Sequence, residues 1–236
     1  MMQDKLLDIV IVSYAKDDYC KELTKNCIFS LLYSEENAVD DFNIIVVESE
    51  PGVNWDWMSI NVKTYESPLP YGYHKFLNFG RKKGNSPWVA LCNNDLEFTK
   101  DWFSRILEAS STVPEALSFS PLCPMTQTLY GINENMGLIE GYEIRKQISG
   151  WCIIQKREIY ERIGDLDERF QHWYCDNDYS MELFTNNIKH VLVTNSVVIH
   201  HDNNIGKTTE RVVKDYDQMY KMTSGSYPLF KEKWNL

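Results

Sequence analysis

Short, nearly continuous apolar runs alternate with amphipathic segments in the first half of the chain, and this alternation restricts the fold more than any other feature. The runs Leu6–Ser13 and Phe42–Glu48 are apolar throughout most of their length, which is typical of strands buried on both faces. Between them, apolar residues recur at helical spacing over Cys20–Leu31, which predicts an amphipathic helix that begins at Asp17 or Asp18.

The same rhythm continues to about residue 110. Two more strands are predicted over Ile60–Tyr65 and Trp88–Asn93. A helix is predicted over Tyr73–Lys83, with Gly84 ending it in the left-handed conformation, and Thr99 is predicted to cap the next helix. This order of elements predicts an α/β protein with a mostly parallel central sheet and helices on both faces.

The second half of the chain is less regular, but its strands are expected to continue the same sheet, so we predict one domain. The predicted elements are a strand at Gly150–Gln155, a helix at Lys156–Ile163 ended by Gly164, a helix starting near Asp176 or Asp178, and a strand pair at Lys189–Thr194 and Val197–His200.

The predicted domain covers residues 1–206, and residues 207–236 form a predicted helical tail of opposite charge. The whole chain has 24 basic and 34 acidic residues, a net charge of −10. The tail holds six basic and four acidic side chains, so it carries +2 and leaves −12 on residues 1–206. A basic tail either folds over a bound polyphosphate or presents a solvated helix face.

Composition excludes several classes of protein. Hydrophobic residues make up 43% of the 236 residues and charged residues 25%, which excludes a disordered chain, a collagen and a coiled coil. A net charge of −10 disfavours a nucleic-acid binder, because such a surface repels phosphates. The six cysteines include no CxxC pair, and no apolar run reaches 18 residues. We therefore predict reduced cysteines in a cytosolic protein without a transmembrane segment.

Polar side chains follow three of the predicted strands at their carboxyl ends, where ligands bind in open α/β sheets. No GxGxxG or GxxxxGK[ST] motif is present, so a bound nucleotide would need another way to neutralise its phosphates, and a divalent metal would do so. The residues at these strand ends are Ser13, Tyr14, Glu48, Asn93, Asn94 and Asp95.

Two kinds of side chain are candidate metal ligands, and each has a simpler alternative. Asp95 can hold Mg²⁺ or Mn²⁺ together with substrate phosphates, or it can shape a turn with its asparagine neighbours. His200 and His201 close a predicted strand and point to opposite faces, so at most one of them is a ligand. Either histidine can instead be satisfied by hydrogen bonds within the protein.

A third group lies in the segment WYCDNDYSMEL. One carboxylate of Asp176 and Asp178 is expected to cap the following helix, and the other is then free to act as a general base. Trp151, Trp173 and Tyr174 are candidate stacking platforms for a sugar ring, although aromatic side chains more often belong to the core.

Four segments, in this order along the chain, resemble the family 2 glycosyltransferases of the GT-A fold. DIVIVSY resembles the first strand of the family, and LNFGRKKGNSPWVALCNNDLEF resembles the segment that contains the DxD motif. SGWCIIQKREIYERIGDLDERFQHWYCDNDYSMEL resembles the acceptor-side segment and is the most specific of the four. VIHHDNNIGKT resembles the late segment that supplies a metal-ligand histidine.

The resemblance implies a Rossmann-like, mostly parallel sheet, with a nucleotide-sugar half at 1–100 and a mixed, acceptor-side half at 101–206. It also implies an inverting, Mn²⁺- or Mg²⁺-dependent transfer of a sugar from a nucleotide-diphosphate donor, UDP by family frequency, to a saccharide or another hydroxyl acceptor. The implied site consists of Asp176 as the base, Asp95 and His200 as metal ligands, Ser13, Tyr14, Glu48, Asn78, Asn93 and Asn94 at the nucleotide, and Trp151, Trp173 and Asp178 on the acceptor side.

The sequence departs from the family at two positions. Asn93 replaces the first acid of DxD, and Cys175 stands where the family often has a glutamate before the base. Two other functions stay open: a non-catalytic sugar- or nucleotide-binding domain of the same fold, and a glycosyltransferase acting on a nucleic-acid base. A nucleotidylyltransferase is disfavoured because no glycine-rich loop follows the first strand, and a homo-oligomer is compatible with the sequence.

Overall fold

The computed structural model describes residues 5–57, 59–201, 217, 220 and 224–236. Within them, nine strands form one sheet: β1 (Leu7–Ser13), β2 (Phe42–Glu48), β3 (Val62–Glu66), β4 (Trp88–Cys92), β5 (Leu96–Phe98), β6 (Ser118–Leu122), β7 (Leu138–Glu140), β8 (Cys152–Lys156) and β9 (His190–His200). The described helices are α1 (Asp18–Ser34), α2 (Ala38–Asp41), α3 (Tyr73–Arg81), α4 (Trp102–Thr112), α5 (Pro124–Gln127), α6 (Tyr160–Ile163), α7 (Cys175–Thr185) and α8 (Ser226–Trp234).

The sheet has the strand order β3-β2-β1-β4-β8-β6-β9-β5, and β7 pairs with β9. The first four of these strands are mutually parallel. Beyond β4 the sheet is mixed, because β8 runs antiparallel to both of its neighbours while β6 and β9 are parallel. The predicted α/β class is confirmed, with a parallel first half and a mixed second half.

Both faces of the sheet are buried, which explains the continuous apolar runs. Ile9 and Ile11 of β1 face one core, which α1 and α4 cover. Val10 lies between them in sequence and faces the opposite core, which α3 and α7 cover. A strand covered on both faces has no solvent side, so its apolar residues do not alternate with polar ones.

The predicted strand pair near the end of the domain is wrong, since β9 runs unbroken from His190 to His200. The polar residues in its middle are absorbed where the register with β6 shifts, between Pro121 and Leu122. Ser196 is buried there and donates a hydrogen bond to the backbone oxygen of Trp102. A bulge of this kind re-aims a strand without ending it.

The predicted helix after β8 is also shorter than expected. A 3₁₀ turn at Arg157–Ile159 precedes the single turn of α6, and Gly164 follows with a φ of 69°. The Arg157 backbone nitrogen donates to Pro87, and its guanidinium bonds with the buried carboxylate of Asp8. These contacts hold the chain at the end of β8, where a regular helix would otherwise start.

The predicted role of Thr99 as a helix cap is wrong. Its hydroxyl donates to the backbone oxygen of Val197 at 2.7 Å, and α4 begins three residues later. The carboxylate of Glu35, which is distant in sequence, accepts from the backbone nitrogens of Phe103 and Ser104 at 2.7 and 3.0 Å. For α1, in contrast, Asp17 caps the helix by accepting from Cys20 at 2.9 Å, as predicted.

Gly84 has a different role from the predicted one. It does not adopt a left-handed conformation, and α3 already ends at Arg81. A Cβ atom at this position would overlap the carboxylate of Asp8. The glycine is therefore needed because the backbone passes close to a buried acid.

All six cysteines are buried and none of them forms a disulfide bond; the reduced state in the cell stays a prediction. Cys92 and Cys152 face each other across β4 and β8 with their sulfurs 3.8 Å apart. A disulfide bond would bring the two atoms to about 2.05 Å. Among the described residues, no helix has the length and apolarity needed to cross a bilayer.

Candidate functional site

A pocket of about 560 Å³ opens where β4 and β9 end and where α3 and α7 begin. Its wall brings together residues from distant parts of the sequence. Among the predicted site residues, those that line it are Asn93, Trp151, Trp173, Asp176 and His200.

Asp95 and His200 are neighbours, although 105 positions separate them in sequence. The antiparallel pairing of β5 with β9 places Leu96 opposite His200, and the His201 backbone nitrogen donates to the Asp95 backbone oxygen at 3.1 Å. As a result, the His200 Nε2 atom lies 3.3 Å from the Asp95 Oδ1 atom. The ring of His201 instead lies 3.1 Å from the Glu97 carboxylate, so the two histidines face different groups.

The Asp95–His200 pair fits part of a divalent metal site. The Asp95 Oδ1 atom is buried and has no hydrogen-bond partner in the described part of the chain. A carboxylate and an imidazole are both ligands of Mn²⁺. Over residues 5–57, 59–201 and 224–236, no group of three or more His, Cys, Asp or Glu side chains could hold a metal. The described chain therefore offers two ligands, and a bound diphosphate would have to supply others.

Trp151 packs flat against His200, with ring centroids 5.5 Å apart and an interplanar angle of 17°. Its side chain is only 7% exposed, so the histidine covers a face that a sugar ring would need. Trp173, in contrast, is 55% exposed and lines the same pocket. Of the two tryptophans predicted as stacking platforms, the structure leaves Trp173 accessible and makes Trp151 a support for the histidine.

Asp176 lies in the first turn of α7 and lines the pocket. Its approach to the opposite wall requires a glycine, since a Cβ atom on Gly150 would lie 2.8 Å from the Asp176 Cβ. Burial raises the pKa of the Asp176 carboxyl above its ordinary value, while the backbone N–H of Asn177 and the charge of Arg145 oppose this shift. A carboxylate with a raised pKa is a better proton acceptor near neutral pH.

Neither acid of this turn caps the helix, contrary to prediction. Tyr174 occupies the N-cap position with a φ of 66°, and no side chain caps the helix there. Asp178 points away from the pocket and is 1% exposed. Its carboxylate accepts from Trp234 and forms an ion pair with Lys233 at 2.8 Å. The structure thus brings Asp176 to the pocket but not Asp178.

Tyr73 connects the two sides of the pocket. Its hydroxyl donates to the Asn93 Oδ1 atom at 2.7 Å, and the Gly150 backbone oxygen lies 3.3 Å away. Asn93 follows β4 on the predicted nucleotide side, whereas Gly150 touches Asp176. The Tyr73 hydroxyl therefore links Asn93 to Gly150, the residue against which the Asp176 side chain packs.

A second group of predicted site residues forms a hydrogen-bonded chain at the ends of β1, β2 and β4, outside the pocket wall. Since a carboxylate only accepts, Ser13 donates to Glu48 at 2.8 Å and Thr24 in turn donates to Ser13 at 2.9 Å. Asn94 donates to Thr24 at 2.9 Å. Tyr14 follows Ser13, and burial together with the nearby Glu50 raises its pKa.

Glu48 is almost fully engaged by the protein itself. Besides Ser13, its carboxylate accepts from the backbone nitrogens of Ala15 and Glu50 and from the indole of Trp55. Four donors fill the lone-pair sites of a carboxylate. A nucleotide base could bond to Glu48 only by displacing one of these donors.

Asn78 lies in α3, away from the pocket. Its amide bonds in both directions with the backbone of Leu166, at 2.8 and 3.0 Å. The side chain is 1% exposed, so it ties α3 to the segment before α7. Sequence reasoning missed Tyr73, Arg145 and Gly150, which line the pocket; only Gly150 carried a signal, as a glycine at the start of a predicted strand.

Comparison with known proteins bears on the fold. No family model matches the chain, and neither does any curated protein. Among solved structures, it is similar to GalNAc-T7, solved with UDP, GalNAc and Mn²⁺, with a TM-score of 0.61 and 13% identity over 82% of this chain. It is also similar to the mannosyltransferase PcManGT from Pyrobaculum calidifontis, in complex with GDP-Man and Mn²⁺, with a TM-score of 0.64 and 12% identity over 89% of this chain.

The matched regions span 42% of the GalNAc-T7 chain and 61% of the PcManGT chain. Sequence identity this low supports a conclusion about architecture and not about substrates. The parallel β3-β2-β1-β4 half, followed by a mixed half with a pocket at their junction, agrees with that architecture. The protein has the GT-A fold of these glycosyltransferases.

Proposed function

We propose that the protein is an inverting glycosyltransferase, which moves a sugar from a nucleotide-diphosphate donor to a hydroxyl acceptor. One observation carries the proposal: Asp176 and His200, the partner of Asp95, line the same pocket. In this proposal the base and one member of the diphosphate-binding pair line a space large enough for sugar rings.

Asp176 acts as the general base in this proposal. The acceptor oxygen forms a bond to the anomeric carbon, its proton passes to the Asp176 carboxylate, and the bond between the sugar and the diphosphate breaks with its electrons on the diphosphate. Among the described residues that line the pocket, Asp176 is the one carboxylate. A single carboxylate suits a single displacement, which inverts the configuration.

Asp95 and His200 would hold the divalent cation at the diphosphate. When bound, such a cation supplies Lewis-acid stabilisation of the charge that develops on the leaving group. Trp151 restricts the His200 ring by stacking, and Tyr73 restricts Asn93 beside it. Both contacts organise the donor side before the donor arrives.

UDP is the preferred nucleotide of this proposal, and the accessible face of Trp173 is the preferred platform for the acceptor sugar. GalNAc-T7 was solved with UDP, while PcManGT was solved with GDP-Man. The donor should therefore be tested as a panel of UDP- and GDP-sugars, each with and without Mn²⁺, by thermal denaturation. A ligand that binds the folded state raises the melting temperature, and the proposal fails if no nucleotide does so with metal present.

The decisive variant is Asp176→Asn, which keeps the shape of the side chain and removes its basicity. It should bind nucleotide and Mn²⁺ as the wild type does, but lose at least about 100-fold in transfer, the usual contribution of a general base. Glu158→Gln, an exposed acid outside the pocket, serves as the control and should keep full turnover. Near-normal transfer by Asp176→Asn would refute the assignment, and binding without turnover in the wild type would favour a non-catalytic binding domain.

A further inference from the structure

The loop between β7 and β8 forms part of the pocket wall, and hydrogen bonds within its own backbone hold its conformation. The backbone nitrogens of Gln147 and Ile148 both donate to the Glu143 backbone oxygen, at 3.0 and 3.1 Å. The Arg145 nitrogen donates back to the Ile148 oxygen at 2.8 Å. Arg145 itself has a φ of 69°, a conformation that costs energy for a residue with a side chain.

This loop is anchored to the core through a buried histidine. His190 Nε2 donates to the Gln147 backbone oxygen at 3.0 Å, and its Nδ1 accepts from Ser118 at 2.7 Å. Burial lowers the pKa of His190 to about 4, so the ring is neutral at pH 7 and supplies one donor and one acceptor. Ile148 is fully buried in the same region. The position of Arg145 is therefore set by the core and not by the solvent.

The Arg145 side chain lines the pocket and is exposed. Its guanidinium has no hydrogen bond or ion pair with any described residue. Its sequence neighbour Lys146, in contrast, pairs with Glu143 at 2.6 Å. An arginine whose backbone is held in place, and whose guanidinium N–H groups bond to no described residue, is well suited to bind a planar or tetrahedral anion such as a carboxylate or a phosphate.

Among the described residues that line the pocket, Arg145 is the one with a fixed positive charge. No other arginine and no lysine stands among the described residues of its wall. Burial lowers the pKa of both His74 and His172 to about 4, so these rings are neutral at pH 7. Arg145 and Asp176 therefore decide the electrostatic character of the pocket.

We propose that Arg145 is an anion-binding residue and that the acceptor carries a carboxylate or a phosphate ester near the hydroxyl that reacts. The assignment of the anion to an acceptor rests on the proposed function. The anion site itself is inferred only from the loop and the pocket. Arg145 is assigned to the acceptor because its charge acts on the Asp176 carboxylate, whereas Asp95 and His200 serve the diphosphate. With a net charge of −10 on the chain, an anionic acceptor needs such a local cation.

The test compares pairs of small probes that differ only in charge. Methyl glucuronide and methyl glucoside form one pair, and glucose 6-phosphate and glucose form the other, with binding followed by NMR titration of the full chain. The wild type should bind at least one anionic probe about tenfold more tightly than its neutral partner, as expected for a hydrogen-bonded charge. Arg145→Gln should abolish that preference, while Lys146→Gln should keep it.

The donor diphosphate is the other source of anionic oxygens, and a second experiment tests whether Arg145 binds it instead of the acceptor. The affinity of UDP and GDP with Mn²⁺ should be the same in Arg145→Gln and in the wild type. A loss of nucleotide affinity, with the sugar probes unaffected, would assign Arg145 to the donor and overturn the proposal. Equal binding of charged and neutral probes by the wild type would also overturn it. If no nucleotide binds but the charged probes do, the proposed transferase function fails while the anion site stands.

Discussion

The two halves that meet at the pocket are held in different ways. In the parallel half of the sheet, the ends of β1, β2 and β4 are connected by a chain of hydrogen bonds that ends on Glu48. In the half that contains α7, the start of this helix is held by an ion cluster in which Lys233 contacts Asp167, Asp178 and Glu182 at 3.2, 2.8 and 2.9 Å.

The difference also concerns where the partners come from. All members of the Glu48 chain belong to the first 100 residues, so that half organises its own strand ends. The half that contains α7 depends on α8, whose Phe230 packs with Phe170 and Cys175 and whose Trp234 donates to Asp178 at 2.9 Å. The turn that carries the proposed base is therefore stabilised by the C-terminal helix.

This arrangement changes the interpretation of the basic tail. Its residue Lys233 neutralises carboxylates of the domain, and although burial lowers its pKa, hydrogen bonds with Asp178 and Glu182 raise the pKa above the ordinary value. Lys231 on the same helix is exposed. The other basic residues of the tail, Lys207, Arg211, Lys214 and Lys221, lie outside the described residues, so a role at a polyphosphate stays a prediction for them.

The largest effect is expected from Lys233→Met, which leaves three carboxylates without their common cation. Removing one partner of a buried ion pair typically costs about 3–5 kcal/mol, and Asp178 is 1% exposed. Urea unfolding of the variant should show a loss of about 3 kcal/mol, while nucleotide affinity of the folded protein stays unchanged. Lys231→Met is the matched control; a loss below about 1 kcal/mol for Lys233→Met would show that the ion cluster does not stabilise the start of α7.

Glu48→Gln should have the next largest effect. An amide keeps one acceptor oxygen and turns its nitrogen toward the donors that faced the second carboxylate oxygen, so buried donors lose their partners. We expect a loss of about 1–3 kcal/mol in the free energy of unfolding and weaker nucleotide binding. Glu66 lies opposite Glu48 on β3 and is exposed, and Glu66→Gln should leave both quantities nearly unchanged. Equal effects of the two substitutions would show that the hydrogen bonds to Glu48 do not stabilise these strand ends.

The smallest change in stability is expected for Asp176→Asn, which should stabilise the protein where the other two substitutions destabilise it. Its pKa is raised by burial, so the ionised form is less favourable in the folded protein than in the unfolded one, and stability falls as the pH rises through this pKa. Asp176→Asn should therefore melt above the wild type at pH 7, and the difference should shrink as the pH falls toward 4. Melting curves between pH 4 and 8 measure this; a variant less stable than the wild type at pH 7 would contradict it.

The parallel half of the fold and five of the residues that line the pocket could be predicted from the sequence, because they depend on local patterns. Strand ends at Ser13, Glu48 and Asn93 follow directly from apolar runs. The mixed half was harder, since β6 contains serines and a proline and β9 carries polar residues in its middle. Their pairing is decided by neighbouring strands, and no local pattern records it.

The sequence alone predicted the class of fold and singled out Asp176, Asp95 and His200 as candidate site residues, because alternating apolar runs and short motifs are local properties. Only the tertiary structure decided which of these groups share a pocket. It turned Asp178 toward Lys233, covered Trp151 with His200 and placed Arg145 in the wall beside Asp176. These outcomes depend on contacts between residues far apart in the chain, and burial and pairing at such contacts exist only once the sheet has formed.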